Sequence, residues 1–454
     1  MSVHSPLFWL LFVPFLLLYR HHAARAGRGS QLWVLGFSAL YLCFRSPWTL
    51  AAILLSGAAV FRGALHIESL PEGSTARRRW AGALILLCLG VLIGSRVPSA
   101  WSMLGASFFV FQLIAYVVDV AGGEIRAERG FPDYISSISC FVYLTAGPIV
   151  RLPQLLPQLR SPAPADYGSS AEAVFRIVNG LAKKTVADLL SSPVNGYFAQ
   201  VGAQGAQGSF QAWTALLALG AQYYADFSGY TDIALGIGGL LGLRLSENFR
   251  TPYFAGSVLE HWKRSHISLS YWAHDYLFIP LCLGRWARGI RIPAPLKMAT
   301  SLTVTLVFIG LWHGFGMNHL AWGVFNATLI LMTHQLRRLA WPGWARSRIV
   351  EVAVTFYLIL LGRVFLRTSG PGEVWATWKE LHAFRSGPAA DRGVALEFGL
   401  VVLALVIPHL LDQLFLSRRR LFQGRWFGWA IALVLLTFSL VFSMPGRAFL
   451  YEGF

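Results

Sequence analysis

Charge is scarce in this chain. Only 13% of its 454 residues are Asp, Glu, Lys or Arg, about half of what a soluble domain carries. Apolar runs recur along the whole length, which excludes a soluble domain with a single anchor and indicates a polytopic membrane protein. Acid is scarcer still, with 21 Asp and Glu against 38 Lys and Arg. The basic residues sit in short loops between apolar runs, as membrane topology and anionic lipid require, so nucleic acid is not the expected partner. Cysteine is limited to Cys43, Cys88, Cys140 and Cys282, scattered singly in apolar segments, which excludes a disulfide framework or a thiolate metal site. No HExxH, CxxC or GxSxG occurs. Gly236-Ile-Gly-Gly is a small-residue helix face rather than a phosphate loop. His313 and His319 lack a third ligand nearby, so no metal is expected. The first apolar run, Pro6 to Leu18, has no small-residue cleavage site behind it, so no removable signal is expected.

Candidate spans begin at 6–19, 31–45, 48–63, 80–95 and 99–120. Arg20, Arg25 and Arg28 follow the first, and Arg77, Arg78 and Arg79 the third. Positive-inside bias therefore puts the amino terminus outside and both basic loops in the cytoplasm. Further runs lie at 298–312, 319–335, 349–367, 394–415 and 427–443. The basic loops between them, 285–297, 336–348 and 416–426, fall on one side and leave the carboxy terminus outside. Around a dozen spans are expected, several shorter than the roughly 20 residues a crossing needs. Between 120 and 285 crossings cannot be counted. Gly147-Pro148 breaks one run, and a polar linker is expected at 161–173 before an amphipathic segment at 174–198 that carries Lys183-Lys184. A broken helix at membrane depth requires surrounding protein or water. No soluble domain is apparent, and the chain reads as one transmembrane unit: spans in 1–120, a core in 131–335, and spans in 349–454.

The costly groups collect between Gln222 and Gly314: Asp226, Asp232, Glu247, Arg250, Lys263, Arg264, His266, Asp275 and His313. An ionisable group at membrane depth costs roughly 2.5–3.5 kcal/mol and marks a polar interior. His313, in Leu311-Trp312-His313-Gly314, suits a general base or a hydrogen-bonded bundle residue. His266, in Lys263-Arg264-Ser265-His266, suits catalysis or an interfacial position. Tyr223, Asp226 and Tyr230 share one helix face. Asp226 and Asp232 suit either a proton relay or pairing with Arg244, Arg250, Lys263 or Arg264.

Four blocks taken in order resemble the membrane-bound O-acyltransferases of the bacterial branch that modifies surface polymers. They are SFFVFQLIAYVVDV (107–120) with AGPIVR (146–151), YYADFSGYTDIALGIG to ENFRTPY (223–253), HWKRSHISLSYWAHDYLFIPL (261–281) and GLWHGFGMNHLAWGVFNA (310–327). LGRVFLR (361–367) and the terminal RAFLYEGF extend the likeness. It implies an all-α, polytopic helical bundle with re-entrant, broken helices around a central tunnel. His313 corresponds to the family's essential histidine and His266 to a second histidine on the same tunnel. Asp226, Ser228, Tyr230, Asp232, Asn248, Trp262, Lys263, Arg264, Asp275, Tyr276, Trp312 and Asn318 are implied as tunnel or supporting residues. The reaction implied is acyl transfer from a cytoplasmic thioester, acetyl-CoA or an acyl carrier protein, to a hydroxyl, with no permanently bound cofactor. The expected partners are membrane lipid, that donor, a surface polysaccharide and a separate envelope acyltransferase. The expected location is the bacterial cytoplasmic membrane.

Gly229-Tyr-Thr-Asp232 and the extra carboxy-terminal runs resemble the acetylating branch more than the one that transfers D-alanine to teichoic acids. The chain departs from the family pattern at His261-Trp-Lys-Arg-Ser-His266, at His274-Asp-Tyr, at Leu281-Cys-Leu-Gly284 and at Asn326. These positions bear on the acceptor and on how a carrier docks. A transporter or flippase is the rival class, opposed by the lack of inverted-repeat symmetry.

Overall fold

The computed structural model describes residues 3, 5–26, 29–96, 103–164, 166–204, 208–284, 292–336, 347–383, 392–424 and 426–443. The described chain is helical, with one isolated antiparallel bridge between Phe249 and Ser265 and no strand among the described residues. The amino-terminal runs form α1 (Pro6–Ala26), α2 (Ser30–Arg45), α3 (Pro47–Ser69) and α4 (Thr75–Gly94). Ser46 and Ser74 cap α3 and α4 by accepting from the amides of Thr49 and Arg77. α5 (Ala106–Gly122) is buried on nearly every face. Three helices among the described residues are long and apolar enough to cross a membrane on their own: α3, Ala294–His313 and Ala395–Ser417.

The break expected near Gly147-Pro148 is present. α6 (Phe131–Ile138) stops short, buried turns follow, and α7 (Leu152–Arg160) resumes. Backbone inside a membrane protein needs partners when it leaves a helix, and other segments supply them. The Phe141 amide donates to Ser38 Oγ (3.1 Å), the Ile149 amide to Ser268 Oγ (3.0 Å), and the Val150 carbonyl accepts from Gln112 Nε2 (2.9 Å).

The linker expected over 161–173 is shorter than that. Asp166 Oδ1 accepts from the Ser169 amide at 2.8 Å, and this cap starts α8 (Tyr167–Leu189) within the polar stretch. α9 (Ser191–Gln204) follows. α10 (Ser209–Leu240) then runs unbroken for 32 residues, about 48 Å of helix. Next come the short pieces α11 (Val258–Trp262), α12 (Ile267–Ala273), a π-helical turn (His274–Phe278) and α13 (Ile279–Leu283). α14 (Ala294–His313) and α15 (Met317–Leu336) form a hairpin, followed by α16 (Arg348–Phe365), α17 (Pro371–His382), α18 (Arg392–Ser417) and α19 (Trp426–Phe442). α17 lies in the gap between the apolar runs expected at 349–367 and 394–415. Residues 285–291 and 337–346, the larger part of the basic loops expected at 285–297 and 336–348, and the terminal RAFLYEGF lie outside the described residues.

Candidate active site

Packing of α8 against α10 builds the floor of the site. A Cβ on Gly229 would lie 2.8 Å from the Gly180 carbonyl oxygen, and one on Gly180 would lie 2.4 Å from that of Gly229. Only glycine permits this approach, which draws the cations of α8 onto the carboxylates of α10. Lys184 Nζ meets Asp188 Oδ1 at 2.7 Å and Asp226 Oδ1 at 3.2 Å. Lys183 Nζ lies between Asp232 Oδ2 (2.7 Å) and Asp412 Oδ2 of α18 (2.6 Å). Arg176 bonds Asp232 (3.1 Å) and Glu247. The sequence offered Arg244, Arg250, Lys263 and Arg264 as partners for Asp226 and Asp232. The observed partners come instead from α8, which lies along α10, whereas those four residues follow its end. Arg264 pairs with Glu260 at 2.7 Å. Ser228 and Asp232 line a small polar cavity of about 20 Å³ with Arg176, Lys183 and Asp412.

Residues 241–283 fold back as a buried, broken segment. The Arg250 amide donates to the Arg264 carbonyl (2.9 Å) and the Ile267 amide to that of Asn248 (3.0 Å), closing a loop whose ends carry Thr251 and His266. Both have positive φ, +45° and +46°. A non-glycine residue held there stores strain, and such positions gather at functional sites. Asn248 secures the second one. Its Oδ1 accepts from the Ser268 amide (3.0 Å) and hydroxyl (2.9 Å) and faces His266 Nδ1 at 3.4 Å. Because that oxygen can only accept, the network assigns the proton to Nδ1 and the lone pair to Nε2. His266 Nε2 is buried and has no hydrogen-bond partner among the described residues.

Asp275 and Tyr276 serve as ties at the far end of this segment. Asp275 pairs with Arg151, and the Tyr276 hydroxyl donates to Asp119 Oδ2 at 2.9 Å. Near α11, the Arg348 guanidinium bonds Glu260 at 3.0 and 3.1 Å and holds its carboxyl down to about 2.

His313 is the last residue of α14. The helix end is capped from outside, with Arg96 Nη2 donating to the Trp312 carbonyl at 2.7 Å. α14 and α15 touch closely, since a Cβ on Gly323 would lie 2.6 Å from the Leu306 carbonyl oxygen. That contact sets Trp322 edge-on to the His313 ring, with centroids 5.3 Å apart. Trp312 lies 4.6 Å from the His313 ring and 6.1 Å from that of His266. Asn318 Nδ2 donates to the Thr368 carbonyl at 2.7 Å.

His266 and His313, 47 positions apart in the chain, line one internal cavity of about 60 Å³. Trp262 lines it too. Tyr223 and Asn326 line it as well, whereas the other residues implied as tunnel or supporting residues stand outside its wall: Asp226, Ser228, Tyr230, Asp232, Asn248, Lys263, Arg264, Asp275, Tyr276, Trp312 and Asn318. Lys263 lines a larger apolar cavity of about 550 Å³, of which Trp262 forms the shared partition. His261, named as a departure from the family pattern, lines the smaller cavity, and residues there that the sequence did not single out are Tyr224, Tyr253, Trp322 and Arg363. Arg363 had a visible signal, a charge inside the apolar run of α16. The aromatic residues had none, because tyrosine and tryptophan are common throughout this chain.

Residues 98–369 match the sequence profile of the MBOAT, membrane-bound O-acyltransferase family. That interval is well over half of the chain and contains the whole cavity wall. The chain belongs to this family. Among its relatives, a probable alginate O-acetylase of Pseudomonas aeruginosa is 28% identical over 91% of this chain and 81% of its own length. A peptidoglycan O-acetyltransferase of Helicobacter pylori is 33% identical over 58% of this chain and 54% of its own. A teichoic acid D-alanyltransferase of Streptococcus thermophilus is 24% identical over 50% and 56%. The chain thus spans little more than half the length of the last two. As a member of the family it is an O-acyltransferase of the helical membrane type.

Proposed function

We propose that this O-acyltransferase moves an acetyl group from a cytoplasmic thioester to a hydroxyl on the outer side of a bacterial cytoplasmic membrane. The observation that carries this reading is the meeting of His266 and His313 on one buried cavity. A neutral imidazole there takes the proton of the attacking hydroxyl and returns it to the departing thiolate. His313 is the base. His266, with its Nδ1 proton turned toward Asn248, orients or relays. The acceptor is a surface polysaccharide or a partner protein that passes the group on. Likeness over 91% of the chain to a probable alginate O-acetylase favours acetyl transfer, and the shorter likeness to a D-alanyltransferase makes carrier-dependent transfer the second reading.

Purified protein offered acetyl-CoA, then an acetylated carrier protein, should discharge one of them in the presence of a hydroxyl acceptor. His313→Ala should abolish discharge while melting near the wild-type temperature. Full activity in that variant would overturn the assignment. Carrier-only turnover would select the second reading.

A further inference from the structure

A base alone leaves half of the reaction unserved. When a hydroxyl attacks a thioester carbon, the carbonyl π pair moves onto oxygen, and a preorganised donor aimed at that oxygen is worth about 10²–10³ in rate. Several polar groups on the cavity wall are already engaged elsewhere. The Tyr253 hydroxyl donates to the Gly220 carbonyl at 2.7 Å, and that of Tyr224 donates to Asp412. Asn326 Nδ2 donates to the Trp322 carbonyl at 2.9 Å, and His261 Nδ1 faces the Pro252 carbonyl at 3.1 Å.

Trp262 differs from these. Its ring stands on the wall, yet its Nε1–H is buried and meets no acceptor among the described residues. Leaving a buried donor unmet is costly, so such a group calls for a partner. Other indoles are satisfied: Trp272 donates to the Phe111 carbonyl at 2.9 Å and Trp213 to that of Leu381 at 3.1 Å. Trp312 Nε1 is also unmet, but its ring is not part of the wall. The Trp262 ring lies 5.8 Å from Trp322, which in turn packs on His313. The donor therefore belongs to the same aromatic cluster as the base.

Arg363 completes the arrangement. It lines the same cavity, its guanidinium lies 5.0 Å from the centroid of the Tyr223 ring, and no carboxylate is on the wall among the described residues. A guanidinium fixed against an aromatic face presents a permanent positive field with little freedom to turn away.

We propose that the Trp262 indole N–H and the Arg363 guanidinium are the groups that hold the acyl oxygen as it becomes an oxyanion. This inference rests on the acyl-transfer reading above. In the first step the acceptor oxygen bonds to the thioester carbon, its proton passes to the His313 ring, and the π pair goes to the held oxygen. In the second the C=O bond re-forms, the C–S bond breaks, and the thiolate leaves with the proton from His313.

Trp262→Phe keeps an aromatic ring on the wall and removes the N–H together with the five-membered half of the indole. Its kcat for thioester discharge should fall about 10²-fold. Its affinity for the corresponding thioether, which has no carbonyl oxygen, should stay at the wild-type value. Arg363→Gln should show the same split and stands as the second variant if Trp262→Phe does not fold. Trp213→Phe, which loses an indole N–H remote from the cavity, should keep the wild-type kcat. Variants whose kcat stays within about threefold of wild type, or whose thioether affinity falls as far as kcat, would overturn the inference while the functional reading stands. A wild-type protein that discharges neither acetyl-CoA nor an acetylated carrier protein would overturn both.

Discussion

At the scale of single residues, the site depends on which ring nitrogen is left available. Asn248 does two jobs through one oxygen: it caps α12 by accepting from Ser268, and it turns the Nδ1–H of His266 away from the cavity. Asn248→Ala should cost about 1–2 kcal/mol as a lost cap and lower turnover without a matching rise in donor KM. Asn248→Asp keeps the accepting oxygen and should melt closer to wild type, which thermal unfolding in detergent checks. His266→Ala should lose about 10²–10⁴ in rate, measured as thioester discharge, with a residue of activity that His313→Ala lacks. Equal and complete loss in both would give the two rings the same role.

At the scale of elements, the polar face of α8 is turned inward. Lys183 is almost wholly buried between Asp232 and Asp412, which belong to α10 and α18. Removing the charge from one member of such a cluster leaves another uncompensated, a loss of about 3–5 kcal/mol. Lys183→Met should therefore destabilise strongly, and adding Asp412→Leu should recover part of the loss. A double-mutant cycle by thermal unfolding reads the coupling, and strict additivity would mean the pair does not interact. Substitution of Gly229 by Val should separate α8 from α10 and unsettle the same cluster, since its Cβ would press on the Gly180 carbonyl. The exposed tie between α11 and α16 has its own pH signature. Arg348 holds the Glu260 carboxyl from its usual 4.5 down to about 2. A depressed carboxyl stabilises the fold above its unfolded value, so this contribution persists through neutral pH and disappears as pH falls from about 4.5 toward 2. Hydrogen exchange of the α11 amides should rise across that window in the wild type, with Arg348→Gln shifting the rise to higher pH.

At the scale of the whole molecule, the described helices enclose the cavity that His266 and His313 share. On the expected outer side, the described gap after α16 contains only α17, twelve residues long. A partner protein that receives the acyl group outside the membrane is the corresponding prediction. Expressing the chain alone and with its genomic neighbours, then measuring esters on surface glycan, checks it: full-rate acylation by the isolated chain would show that no partner is needed. Reporters fused to the two termini should both be active only outside the cytoplasm if the basic loops at 20–28 and 77–79 lie within it.

The all-α bundle was implied by the family resemblance, whereas composition and residue order were sufficient for the membrane class and for the break at Gly147-Pro148. These last two follow from local physics: apolar run length, proline, and the cost of charge in hydrocarbon. Legible in the same way was the concentration of chemistry between Gln222 and Gly314, with His266, Trp262 and His313 among the residues picked out. The partners of Asp226 and Asp232 were not legible. They depend on the glycine contact between α8 and α10, which joins residues more than forty positions apart and leaves no periodic trace. The charge of Arg363 was visible within its apolar run, but its place was not, nor were the places of Tyr224 and Asp412. The first two reach the cavity wall, and the third stands behind it, only because α16, α10 and α18 converge there. The left-handed backbone at His266 comes from Asn248 and the bridge across residues 249–265. Pairing at that distance is decided by which helices pack together, and no window of neighbouring residues contains that information.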